Sequence, residues 1–194
     1  MKVLSLASLL LCSSAAMAHY SLDYPPTRGE SESKEIVSPC GGFNDVGARI
    51  QFPLTRGFVQ VNSGHPNSKV DVNIAYGNNP SAADFTAAAD KPIASLTIDV
   101  PRKACMTVDL TKSQDAVDNT NATIQIVYND GHDILYQCSD VVLVTSAEGF
   151  DLTKCVNEKP TGPTPTVAAA AAAVSVKSAA TAVVAVLMAA ALAL

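Results

Sequence analysis

The sequence predicts an all-β fold, an antiparallel β-sandwich of the immunoglobulin or fibronectin-III type closed by two disulfides. Three observations lead there. Short runs of alternating apolar and polar residues recur through the middle of the chain, as expected where successive side chains point to opposite faces of a sheet. Turn-forming clusters separate the runs: Asn62-Ser-Gly, Gly77-Asn-Asn-Pro and Asn129-Asp-Gly. Four cysteines accompany them, Cys40, Cys105, Cys138 and Cys155, with no C-x-x-C spacing of the zinc or redox kind. An even count in an oxidising compartment reads as two disulfides, and four cysteines allow three pairings.

The elements follow in order. Ala48 to Leu54 alternates in its first part, and Gly57 to Asn62 does the same. Lys69 to Tyr76 alternates cleanly and puts Val70, Val72 and Ile74 on one face. Ser81 to Asp90 is alanine-rich and reads as a loop with a helical turn. Ile93 to Val100 forms a further run that stops at Pro101, where a missing N–H ends a ladder. Cys105 to Leu110, Ala122 to Tyr128 and Ile134 to Val144 complete about seven strands. In the last strand Tyr136, Cys138 and Asp140 share a face. A disulfide-bonded Cys138 then points inward, and Asp140 becomes a buried, hydrogen-bonded structural acid.

Both ends differ in composition from this body. Residues 1–18 carry Lys2, an apolar run from Val3 to Cys12 and the A-x-A site Ala16-Met17-Ala18, the pattern of a secretory signal peptide. Cleavage after Ala18 makes His19 the first residue of a domain spanning 19–159. Residues 160–178 begin Pro-Thr-Gly-Pro-Thr-Pro and continue into alanines, a linker with small residues suited to glycosylphosphatidylinositol attachment. Residues 179–194 form an apolar tail of the kind removed when that lipid is added. The expected location is the extracellular face of the plasma membrane or the cell wall.

Between His19 and Lys159, eleven basic and eighteen acidic residues leave a net charge of −7. No basic patch exists, which argues against a nucleic-acid partner. G-x-S-x-G, phosphate-binding glycine loops and H-E-x-x-H are all missing from the sequence. Without tryptophan and with few aromatics, no carbohydrate-stacking platform is expected. Asn121-Ala-Thr123 is the one N-glycosylation sequon, because Pro80 disqualifies Asn79.

Only three histidines occur: His19, His65 and His132. A mature N-terminal His19 offers two nitrogens to one metal ion, its α-amine and ring Nδ1. His65 follows a strand in Asn62-Ser-Gly-His-Pro, where a loop would present it. His132 lies in a second loop and reads as a surface histidine. Copper(II) prefers nitrogen donors in a tetragonal plane. One more imidazole beside His19 would supply that plane, and Asp133 or Asp130 could complete the sphere.

These pieces resemble a known family. His19-Tyr-Ser-Leu-Asp-Tyr-Pro-Pro-Thr-Arg-Gly after a signal peptide is similar to the start of fungal lytic polysaccharide monooxygenase-like copper proteins. Ser38-Pro-Cys-Gly-Gly, Ser63-Gly-His65 and Ile134-Leu-Tyr-Gln-Cys-Ser-Asp-Val resemble one branch, the copper acquisition factors, from His19 to about Cys155. The resemblance implies a sandwich holding one Cu(II) in a histidine brace of His19 and His65, with Asp133 as an added ligand and Asp130 as the alternative. It also implies disulfides Cys40–Cys138 and Cys105–Cys155. Leu135 stands where the monooxygenases place an aromatic residue beside copper. That departure, with a hard carboxylate that works against reduction, points to a monomeric, non-enzymatic protein for copper acquisition and homeostasis. Its implied recipient is a plasma-membrane copper transporter. A copper-dependent lytic monooxygenase or a wall-remodelling protein is the alternative.

Overall fold

The computed structural model describes residues 20–159. His19, the 1–18 leader, the 160–178 linker and the 179–194 tail lie outside the described residues. Eight strands run in the order β1 (Tyr20–Tyr24), β2 (Ile50–Pro53), β3 (Gly57–Ser63), β4 (Ser68–Tyr76), β5 (Ala94–Ile98), β6 (Arg102–Val108), β7 (Thr120–Asn129) and β8 (Ile134–Val144). A helix, α1 (Ala82–Ala89), follows β4, and a short 3-10 turn spans Leu152–Lys154. They form two sheets, β1-β3-β6 and β2-β8-β7-β4-β5, stacked as a sandwich.

The alternation predicts the core. Val70, Val72 and Ile74 of β4 meet Ala122, Ile124, Ile126 and Tyr128 of β7 on the inner face of the larger sheet. Val59, Val61, Ala104 and Met106 face them from the smaller sheet, with Tyr20 and Leu22 of β1. All are buried, and burial of such side chains stabilises by roughly 1.5–3 kcal/mol each before entropy is counted.

Four features differ from the sequence reading, the last of them on the outer face of the larger sheet. The first strand, β1, was not among the expected ones; five residues with two half-exposed positions are too short for a clear alternation. Strand β2 runs parallel to β8 rather than antiparallel, because a long segment, 25–49, crosses over before β2 begins. The alanine-rich stretch forms an eight-residue helix, its first turn held by Asp84, which accepts from the Ser81 N–H and hydroxyl at 2.7 Å each.

The crossing segment also explains the outer face of the larger sheet. Cys138 and Asp140 do not point between the sheets, as alternation with an inward Cys138 suggests. They lie on the opposite face and are buried there, beneath residues 25–49. The bond Cys40–Cys138 pins that segment to β8, and Cys105–Cys155 pins the C-terminal segment to β6. Gly41 turns the chain at φ +61° where an added Cβ would stand 2.5 Å from the Tyr136 carbonyl oxygen, so only glycine fits. Asp140 is the buried structural acid expected of it. Arg28 grips it through Nε at 2.8 Å and Nη2 at 2.6 Å, and the Gly47 N–H and Thr123 hydroxyl each add a bond at 2.7 Å.

Candidate metal centre

One end of the sandwich collects the residues singled out by their chemistry. Tyr20, at the start of β1, pairs with Ser63, at the end of β3. His65 follows two residues later in the turn to β4 and is half-buried. The 130–133 loop joins β7 to β8 at the same end, since Lys69, just past the His65 turn, pairs with Asn129.

The His65 turn is anchored by buried hydroxyls. Ser63 and Ser68 flank it, and both donate to the His65 carbonyl, at 2.9 and 3.0 Å. Behind them the Tyr128 hydroxyl contacts Ser63 Oγ at 2.6 Å and Ser68 Oγ at 2.7 Å. Three hydroxyl protons serve these four oxygen contacts, so with both serines donating to His65 the Tyr128 hydroxyl donates to only one of them. The His65 carbonyl is thus held by serines at the ends of β3 and β4, with Tyr128 of β7 packed behind them. The Tyr128 ring stacks on Tyr20 with centroids 4.5 Å apart and planes 9° from parallel. A pair of this kind adds about 0.5–1.5 kcal/mol beyond its buried area. Burial pushes the Tyr20 phenol well above its ordinary range, and the Glu35 and Tyr128 charges add to the effect, so the ring stays neutral.

A second polar element ties β1 to the other sheet. Gln137 occupies an inner position of β8 and is 1% exposed. Its Oε1 accepts from the Leu22 N–H at 3.2 Å, and its Nε2 donates to Glu35 Oε1 at 2.7 Å and reaches the Tyr20 carbonyl at 3.4 Å. Glu35 is itself buried, and its carbonyl accepts from the Tyr136 N–H. The start of β1 is thus held from both sides, by an aromatic stack and by an amide bridge. Sequence reasoning missed Tyr128, Ser63, Ser68, Gln137 and Glu35. Two of them carried a visible signal: a serine stands on each side of His65, at the last position of one strand and the first of the next.

The loop acids behave differently from one another. Asp130 is 7% exposed, and its Oδ1 accepts from the N–H groups of His132 at 2.8 Å and Asp133 at 2.7 Å. Burial alone would raise its pKa. The two N–H bonds, with the His65 and His132 charges, outweigh that and hold it below the usual carboxylate range. Asp133 and His132 are exposed. Asp130 thus closes the loop and places a negative charge where His65 feels it, while Asp133 projects from the turn that Asp130 shapes. Among the described residues no three histidine, cysteine or acidic side chains form a ready metal cluster. What they provide at this end is a His65 whose backbone carbonyl is held by two serines, and a loop in which Asp130 is fixed by backbone N–H groups while Asp133 is exposed.

The sequence profile of the BIM1-like copper acquisition factors matches residues 17–160. The chain belongs to that family. Copper acquisition factor BIM1 of Cryptococcus neoformans var. grubii is 37% identical over 154 residues, covering 76% of this chain and 70% of the relative. A lytic polysaccharide monooxygenase-like protein, X325 of Yarrowia lipolytica, is 26% identical over 158 residues, 78% of this chain and 58% of the relative. Among solved structures, the catalytic domain of a Listeria monocytogenes lytic polysaccharide monooxygenase is similar at 16% identity and a TM-score of 0.45, over 65% of this chain and 99% of that one. Membership in the copper acquisition family ties this chain to copper.

Proposed function

We propose that this family member is a cell-surface copper(II)-binding protein that takes up the ion and hands it on, without oxidative cleavage of polysaccharide. The observation that carries the reading is the pairing of Tyr20 with Ser63. It brings the start of β1 beside the end of β3, two residues before His65, whose backbone carbonyl is held by Ser63 and Ser68. Cleavage after Ala18 would free an amine and an imidazole on the residue bonded to Tyr20. His19 would then give two nitrogens and His65 the third, forming a histidine brace for one Cu(II). Asp133 supplies the carboxylate, and Asp130 fixes its loop and adds negative charge. Hard oxygen favours Cu(II) over Cu(I), which suits holding and transfer better than redox cycling. Leu135, buried at 5% exposure, offers no aromatic ring at the position where the monooxygenases carry one.

The wider reading follows the composition of the ends. The 1–18 leader sends the chain outside, and lipid attachment within 160–178 keeps the monomer on the plasma membrane or wall. There a copper transporter is the recipient.

The test compares two purified forms. One begins at His19, and the other carries a single extra residue before it. The first is expected to bind one Cu(II) at least a hundred-fold more tightly. Equal affinities would remove the brace. Oxidised oligosaccharides from chitin or glucan, in the presence of reductant, would move the assignment to the monooxygenase alternative.

A further inference from the structure

A pocket of about 510 Å³ lies away from the His65 end, within the range of small-molecule sites, about 300–1,000 Å³. It opens where the edge strand β1 of one sheet passes the edge strand β2 of the other. Tyr24, four residues along β1 from Tyr20, lines it with Ile50 and Gln51 of β2 and Phe58 and Gln60 of β3. Four strand residues span about 13 Å, so the pocket is separate from the candidate metal centre. Residues Glu148 to Lys154 form its roof.

Its wall is aromatic. Tyr24 stacks on Phe58 with centroids 4.4 Å apart, and Phe150 of the roof tilts against both at 6.2 and 5.5 Å. Phe58 is buried, whereas Tyr24 and Phe150 are half-exposed and present their surface to the pocket. These rings stand far apart in the sequence, so no linear pattern announced a platform.

Polar groups of fixed orientation surround the wall. Gln60 is 8% exposed, and its Oε1 accepts from the Val156 N–H at 2.9 Å. The Gln51 Oε1 accepts from the Glu148 N–H at 2.8 Å. Both carbonyl ends are therefore taken, by Glu148 of the roof and by Val156 just beyond it, which leaves both amide N–H₂ groups as donors with no partner among the described residues. Acceptors face them. Asp151 uses Oδ1 to cap the 3-10 turn, and Glu148 is exposed at the rim. The charges nearly offset: Asp23 is paired with Lys103 at 2.9 Å, and Lys154 stands among the remaining acids. With Lys103 counted, three acids stand against two bases, and this net negative charge disfavours an anion.

We infer that this pocket binds a neutral pyranose, the end unit of a saccharide. An apolar C–H face fits the Tyr24 and Phe150 surface. Hydroxyls, which donate and accept at once, match amide donors standing beside carboxylate acceptors. The inference does not depend on copper.

The experiment is a titration of ¹⁵N-labelled protein with methyl glucoside, methyl mannoside, N-acetylglucosamine and their short oligomers. The expected result is saturable shifts of the Gln51 and Gln60 side-chain amides with at least one sugar. Gln51→Glu and Phe150→Ala should each weaken that binding ten-fold or more. Gln51→Glu keeps the oxygen that accepts from the Glu148 N–H and removes only the amide donor, so it tests the site even if Phe150→Ala disturbs the roof. Copper titration of both variants should match the parent. No saturable shift with any sugar, shifts confined to other surfaces, or saturation by choline in place of sugar would each overturn the inference.

Discussion

Two buried aspartates, Asp140 and Asp130, sit at opposite extremes of how a protein uses a carboxylate. Asp140 has its charge answered inside the fold. Arg28 grips both oxygens, and Gly47 and Thr123 take the remaining positions. Asp130 spends one oxygen on its own loop, accepting from the His132 and Asp133 N–H groups, and its charge lies near His65. Burial would raise both pKa values, and both end below the usual range because hydrogen bonds outweigh it. The difference lies in what answers the charge. Arg28 answers Asp140 directly, whereas backbone N–H groups of its own loop answer Asp130.

That contrast can be broken by substitution. Arg28→Met leaves buried Asp140 with Arg49 Nη1 at 3.9 Å as its nearest cation and should cost about 3 kcal/mol, read as a lowered denaturation midpoint, with Cu(II) affinity unchanged in protein that remains folded. A matching loss of copper binding would merge the two regions into one. Removing the Cys40–Cys138 bond by a double change to serine should cost about 2–5 kcal/mol, since the 98-residue separation it closes leaves a large loop free when unfolded.

Tyr128→Phe comes next. It deletes the hydroxyl that braces Ser63 and Ser68, at a cost of about 1 kcal/mol. Its informative readout is the electron paramagnetic resonance spectrum of bound Cu(II), which should shift if the three hydroxyls set the His65 geometry. An unchanged spectrum would make them merely structural. In the loop, Asp133→Asn should weaken Cu(II) binding about ten-fold, the loss of roughly one kcal-scale contact, with little change in stability. A larger loss for Asp130→Asn would exchange the roles of ligand and support.

The smallest effect is on acid stability. Asp140 has a folded pKa depressed below its unfolded value of about 3.9. Its contribution is therefore full above that value and is lost as pH falls through the folded pKa. The stability gap between the parent and Asp140→Asn should be flat above about pH 5 and narrow below pH 4. A gap that stays constant into acid would mean that Asp140 is not ionised in the fold.

Much of the fold was legible because alternation with period two is a local signal. Val70, Val72 and Ile74, or Ala122 to Tyr128, declare their inner face without reference to anything else. Alternation cannot say what covers the other face. That is why Cys138 was expected between the sheets and is found beneath residues 25–49. Strand β1 carried too few residues to signal itself, yet its first residue, Tyr20, pairs with Ser63 beside the His65 turn. The pocket rings, Tyr24, Phe58 and Phe150, are adjacent only after folding.

By itself the sequence determined the β character, the cysteine set and the family. Each of these rests on residue type or short-range period. Only the tertiary structure decided that β2 lies parallel to β8, that Arg28 answers Asp140, and that Tyr128 packs behind the two serines holding the His65 carbonyl. Those are contacts between residues dozens of positions apart, and their partners are set by how two sheets stack rather than by any pattern along the chain.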